Sequence, residues 1–202
     1  MRPLHSRRPR TRFSEAQQFR RNGVGGGMRA VDYLADQDRV RIVEKVEEQL
    51  LEIARQHFPR TNNLEYAILK THLIIENALT QYICCTSSVL VEPESLRFSF
   101  AEKLEIAILH GSGNGCPTSV PSVELLNRIR NQVAHRFSFD MQLIDELILI
   151  NSEEINVQTL TDRQRITCLR RWCYFICGMI AGELRATIEF TKRAKPAAVA
   201  SR

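Results

Sequence analysis

The segment from Glu65 to Ile83 places the strongest constraint on the fold of this chain. Its apolar residues recur at helical spacing, and they spread over more than one face of the predicted helix. They are Ala67, Ile68, Ile74, Ile75, Ala78 and Leu79. A helix that is apolar on several sides is usually surrounded by other elements. The sequence therefore predicts a long helix at the centre of the domain.

Apolar residues at helical spacing, with capping residues and prolines at the ends, predict further helices along the rest of the chain. They are expected from Asp36 to Phe58, at about residues 99–110 and 122–137, and from Thr161 or Asp162 to about Arg193, and the short apolar segment from Met141 to Ile150 is left open between a helix and a connection. A Gly/Ser/Pro-rich loop is expected from Gly111 to Ser122, and a brief extended piece from Asn156 to Leu160. No region is rich in strand signals. The fold class predicted is all-α, an up-and-down bundle of about four to five helices.

Positive charge is concentrated at the start of the chain. Residues 1–30 contain eight arginines and one glutamate, whereas residues 31–202 contain 20 basic and 22 acidic residues, a net charge of −2. The first 30 residues are also broken by Pro and Gly and poor in large aliphatic side chains. We therefore expect a disordered basic tail over 1–30, one helical domain over 31–195 and a frayed tail over 196–202.

Three interpretations of residues 1–30 remain open. The arginines are suited to non-specific contacts with nucleic-acid phosphates. An Arg-rich, acid-poor segment is also typical of a transit peptide. Alternatively, the segment is not native and Met28 is the true start. We favour the last two. The most apolar run, Trp172 to Gly182, is too short to cross a bilayer, so we expect a cytoplasmic protein without membrane contact.

The cysteines and glycines predict neither a metal site nor another cofactor. The six cysteines form no C-x-x-C pair, and Cys84 and Cys85 are adjacent, which suits a tetrahedral site poorly. Cys173 and Cys177 lie one turn apart on an apolar segment, a pattern typical of buried free thiols. The glycine-rich pieces match no phosphate-binding loop. His57, His72 and His110 are expected at the surface or at helix ends. Glu76 is expected to pair with Lys70, with His72 or with a basic group near residues 130–135.

The run Arg130-Asn131-Gln132-Val133-Ala134-His135 carries the most informative chemistry. At about 100° per residue, the apolar side chains of this helix form one stripe, and the polar ones project roughly opposite. The stripe contains Leu126, Ile129 and Val133, and the polar face contains Asn127, Arg128, Asn131 and His135, with Arg130 at the boundary. A fixed cation, an amide and an imidazole can bind a phosphate and move a proton. From spacing alone, a merely solvated polar face is the more common explanation of such a pattern.

These residues resemble the signature of the HEPN superfamily, in which Arg and a polar residue precede a His: R-N-Q-V-A-H here. The helix from Glu65 to Ile83 resembles the long first core helix of that family. The segment from Ser99 to Gly111 resembles the helix with a Ser-Phe-x-x-Lys start that precedes the motif in many members. The resemblance covers roughly residues 40–190. Phe137 departs from members that carry a tyrosine near this position.

The resemblance implies a dimeric helical bundle that cleaves RNA without metal, of toxin or defence type. Arg130 would hold the scissile phosphate, Asn131 would orient groups in the site, and His135 would act as general acid or base. We also expect Asn127 and Arg128 to contact the substrate. The partners implied are RNA, a second copy joined through the motif helix, and an antitoxin or regulator protein.

Two alternatives to catalysis stay open. In the first, the same polar face is a non-catalytic surface that binds RNA or a protein partner. In the second, the protein regulates transcription or a defence system through a partner. The first of these alternatives predicts that replacing His135 with alanine leaves function intact or changes only assembly.

Overall fold

The computed structural model describes residues 36–87, 91–135, 139–151 and 155–194. In these ranges the chain forms six α-helices and no β-strand, so the all-α class is confirmed. The helices are α1 (Asp36–His57), α2 (Leu64–Thr86), α3 (Phe100–Leu109), α4 (Ser119–His135), α5 (Met141–Ile150) and α6 (Asp162–Ala194). The bundle therefore has more than the expected four to five helices, because the short apolar segment α5 is a separate helix. The predictions for residues 1–30, 196–202 and Phe137 lie outside the described ranges.

Helix α2 is the centre of the packing. It contacts α1, α3, α4 and α6, and Ala67, Ile68, Ile75 and Ala78 on it are fully buried. Its start is fixed by Asn63, whose side chain accepts a hydrogen bond from the Tyr66 backbone at 2.8 Å. The prediction of a central helix is thus confirmed. None of the described helices combines the length and the apolar character needed to cross a bilayer.

Helix α4 begins at Ser119, about one turn earlier than expected. Pro121 is tolerated there because the first turn of a helix leaves its backbone N–H groups without intrahelical partners. The buried Trp172 of α6 donates from Nε1 to Ser122 Oγ at 3.2 Å, and that hydroxyl donates to the Ser119 carbonyl at 2.8 Å. These bonds attach the first turn of α4 to α6.

The loop before α4 follows a fixed path. The Glu183 carboxylate of α6 accepts hydrogen bonds from Ser112 Oγ at 2.9 Å and from the Gly113 backbone at 2.7 Å. Gly113 has a φ of +85°, and a Cβ at this position would lie 2.6 Å from Val120 Cγ2. Any other residue would be strained at this φ and would have to displace the Val120 side chain, so glycine is the residue that fits there.

A second contact holds the same loop from the side of α2. The Tyr82 hydroxyl donates to the His110 carbonyl at 3.1 Å. Burial raises the pKa of Tyr82 to about 12, and the negative charge of Glu183 adds to this shift. The phenol therefore stays protonated and remains a donor at physiological pH.

The segment before α6 is not extended, so that prediction was wrong. Residues Val157–Thr159 form a 3₁₀ turn, and the Asn156 side chain accepts from the Gln158 backbone at 3.2 Å. Arg165 stabilises the turn because its guanidinium donates to the carbonyls of Val157 and Leu160. The same guanidinium donates hydrogen bonds to both carboxylate oxygens of Asp145 on α5, at 2.8 and 3.0 Å. One cation thus joins α5, the turn and α6.

Replacing Arg165 with alanine should lower the free energy of unfolding by about 2–3 kcal/mol, because the substitution leaves the partly buried Asp145 carboxylate and two backbone carbonyls without their donor. Urea unfolding measures the change. Arg163→Ala is the matched control, since this exposed arginine lies in the same turn of α6. Equal small losses in both variants would contradict the assigned role of Arg165.

Candidate functional site

The polar face of α4 lies opposite its buried stripe, as the helical periodicity predicts. Leu126 and Ile129 have no exposed surface, and Val133 packs against the core from a partly buried position. The predicted site residues lie on the other side. Arg128, Asn131 and His135 are exposed, and Asn127 and Arg130 are half-buried.

Arg130 and Asn131 are joined directly. Arg130 Nη1 donates to Asn131 Oδ1 at 3.1 Å, which fixes the guanidinium at the edge of the exposed face. Within the described ranges, Arg130 has no carboxylate partner. The side chains of Arg128 and His135 make no hydrogen bond or ion pair with another described residue. This face therefore presents positive charge and an imidazole to solvent.

Asn127 turns towards α2 instead. Its Oδ1 accepts a hydrogen bond from His72 Nε2 at 3.2 Å. The His72 ring is 4% exposed and stacks on Phe100 of α3, with 4.2 Å between ring centroids. The expectation that His72 lies at the surface or at a helix end was therefore wrong. The reason is that Phe100 covers the ring and Asn127 satisfies its polar edge.

The other two histidines lie where the sequence predicts. His57 is exposed in the last turn of α1. His110 is the C-terminal cap of α3, and its Nδ1 lies 2.8 Å from the hydroxyl of Thr86. In the part of the chain that the structure describes, neither histidine forms a hydrogen bond or an ion pair with the polar face of α4.

Glu76 forms an ion pair with a lysine of α3. Lys103 Nζ donates to Glu76 Oε1 at 2.8 Å, so the basic group is neither Lys70 nor His72. A capping box between Ser99 and Glu102 fixes the start of α3 one turn before this lysine. We call His72, Glu76, Phe100, Lys103 and Asn127 the His72 cluster. It is the place where α2, α3 and α4 meet through polar contacts.

The charges around His72 act in both directions. Burial is the largest effect and lowers the pKa of His72 below its ordinary value. The hydrogen bond with Asn127 and the negative charge of Glu76 raise the pKa. The positive charges of Arg130 and Lys103 lower it further. The net result favours the neutral imidazole. Arg130 thus lies near enough to His72 for the two groups to interact electrostatically.

The cysteines behave as buried or half-buried thiols. Cys173 and Cys177 are buried, as predicted, and none of the six cysteines forms a disulfide. Burial and the charge of Glu94 raise the pKa of Cys84 to about 11, so this group is a thiol at neutral pH. In the part of the chain that the structure describes, no three His, Cys, Asp or Glu side chains form a group that could hold a metal ion.

The sequence did not predict that His72 and Lys103 form a polar cluster beside α4. Two signals were available: an imidazole and a carboxylate four residues apart on the most apolar side of a helix, and a lysine directly after a capping box. Neither signal indicates which partner each group meets. No protein-family model, curated protein or solved structure matches this chain. The HEPN resemblance therefore stays a prediction based on the residues quoted above.

The lowered pKa of His72 predicts a pH-dependent stability. Because the unfolded chain takes up this proton more readily, the stabilisation is complete above the ordinary value of 6.5 and is lost as the pH falls below it. Urea unfolding from pH 7 to pH 5 should show the decline, and His72→Gln should flatten it. His57→Gln, at an exposed histidine, should keep the wild-type slope. An unchanged slope in His72→Gln would contradict the assignment.

Proposed function

We propose that this protein is a metal-independent endoribonuclease of the HEPN type, with the polar face of α4 as its active site. The observation that carries the proposal is the exposed arrangement of Arg130, Asn131 and His135. Asn131 holds the guanidinium at 3.1 Å, and His135 is exposed one turn further along the helix. No acidic side chain among the described residues neutralises this arginine.

The proposed reaction uses the ribose as its own nucleophile. The 2′-hydroxyl gives up its proton to a base and attacks the adjacent phosphorus, while the bond to the 5′-oxygen breaks and that oxygen receives a proton. Arg130 binds the phosphate and stabilises the charge that develops on it. Asn131 orients Arg130, and His135 transfers protons. Arg128 contacts the RNA backbone beside the site. The expected product ends in a 2′,3′-cyclic phosphate, and DNA is not cleaved.

The proposal includes a homodimer. One proton is removed and one is supplied in each cleavage, but the face carries a single exposed imidazole. On an α-helix, Arg130 and His135 also point about 140° apart, so one chain directs them to different sides of a ligand. A second copy related by a two-fold axis would supply the second His135. A ribonuclease of toxin or defence type also requires control, so an antitoxin or regulator protein is a further proposed partner.

The test is an RNA cleavage assay with end-group analysis of the products in the presence of EDTA. Arg130→Ala and His135→Ala should each reduce cleavage by about 100-fold or more, because both changes remove transition-state interactions. The wild-type product should carry a cyclic phosphate. Substrates with 2′-deoxyribose should resist cleavage.

Matched controls separate chemistry from folding. Arg163→Ala and His57→Ala replace exposed residues of the same types away from α4, and each should cleave like the wild type. Light scattering should show the same oligomeric state for all variants. A folded wild type that binds RNA but cleaves none would contradict the proposal and would favour the non-catalytic interaction module. Activity retained in His135→Ala would also contradict it.

A further inference from the structure

We propose that His72 is a positioning residue, which acts through Asn127 to set the direction in which Arg130 leaves α4. The inference deepens the proposed function and rests on it in one respect, namely that Arg130 binds the RNA phosphate. His72 itself is buried under Phe100 and does not touch the substrate. Its role is to hold the side of α4 from which the phosphate-binding arginine projects.

The geometry of the His72 cluster supports this role. Asn127 and Arg130 are three residues apart, so they lie on adjacent turns of the same side of α4. The hydrogen bond from His72 Nε2 to Asn127 Oδ1 spans α2 and α4 at 3.2 Å. The imidazole cannot rotate freely, because its ring lies on Phe100 with an interplanar angle of 26°. Asn127 is therefore held by a ring that is itself fixed.

An ion pair one turn along α2 from His72 adds a second link between α2 and α3. Lys103 Nζ and Glu76 Oε1 are 2.8 Å apart, and the lysine side chain is only 10% exposed. Since Phe100 and Lys103 lie on the same helix, α3 fixes both the stacking partner of His72 and the ion pair one turn further along α2. The bond from His72 to α4 is therefore held in place by contacts between α2 and α3.

The same groups couple Arg130 to the protonation of His72. The charged neighbours that face the imidazole are Glu76 from α2, Lys103 from α3 and Arg130 from α4. An anion bound to Arg130 offsets one of the two positive charges that oppose protonation. By linkage, anion binding should favour proton uptake by His72, and protonated His72 should strengthen anion binding.

The first part of the test uses the full chain without RNA. Nuclear magnetic resonance follows the Arg130 Nε–Hε signal and the titration of the His72 ring. His72→Phe, which keeps a ring but cannot donate to Asn127, should shift the Arg130 signal, and His72→Gln should restore it, because a glutamine amide places a donor near the position of Nε2. Arg130→Gln should raise the pKa of His72, whereas Arg163→Gln should not.

The control for burial is Thr71→Val, next to His72 on α2. Thr71 is fully buried and its hydroxyl donates to the Ala67 carbonyl of the same helix at 2.7 Å, so the change removes a buried hydrogen bond within α2 and keeps both partners of the bond between His72 and Asn127. Thermal unfolding checks that each variant is folded. Thr71→Val should leave the Arg130 signal at its wild-type position. If His72→Phe also leaves it there, the positioning role is overturned.

The second part measures the binding of a mixed-sequence 2′-O-methyl RNA, which cannot be cleaved, by fluorescence anisotropy at several pH values. His72→Phe should weaken binding about threefold to tenfold, the loss expected for one hydrogen bond. His72→Gln should restore affinity at pH 7.5 but bind with a flatter pH profile than the wild type. Thr71→Val should bind like the wild type.

The two parts distinguish the two proposals. A wild type that binds no RNA while the first part succeeds overturns the proposed function and leaves the coupling between His72 and Arg130 in place. Normal RNA binding by His72→Phe, with an unmoved Arg130 signal, overturns the positioning role and leaves the proposed function in place.

Discussion

The burial of α2 on several sides is the constraint on which the rest of the structure depends. The polar groups that lie on the packed sides of this helix are shielded from solvent, so each of them needs a partner inside the protein. The threonines use their own helix: Thr71 donates to the Ala67 carbonyl and Thr80 to the Glu76 carbonyl. Within the described ranges, no buried side-chain nitrogen or oxygen lacks a partner.

Three larger polar side chains of α2 form hydrogen bonds or ion pairs with other elements. His72 binds α4, Glu76 binds α3, and Tyr82 binds the loop between them. These three residues follow one another along α2 and place α3, the loop and α4 in a defined order. The polar face of α4 is thus oriented by the requirements of a helix that contributes nothing to that face itself.

The sequence predicted what depends on local periodicity. The apolar positions of α2 and the buried stripe of Leu126 and Ile129 follow from spacing along a single helix, and the half-burial of Arg130 follows from its place at the edge of that stripe. The burial of His72 could not be predicted in this way, because it depends on Phe100 and on Asn127, which is 55 residues away in the chain. The start of α4 was misplaced because Pro121 was taken as a loop residue, although proline is compatible with a first helical turn.

The loop before α4 also determines how this protein tolerates changes in length. Its path is fixed by Glu183 and by the left-handed backbone at Gly113, beside Val120 in the first turn of the helix. An extra residue inside α4, ahead of Arg130, would rotate the side chains that follow it by about 100° and would exchange buried and exposed residues. An extra residue between Gly113 and Ser119 would instead be absorbed by the loop, because Glu183 holds the start of that loop and the bond between Trp172 and Ser122 holds the first turn of α4. The direction of Arg130 is therefore sensitive to changes of length within the helix and insensitive to changes of length in the loop.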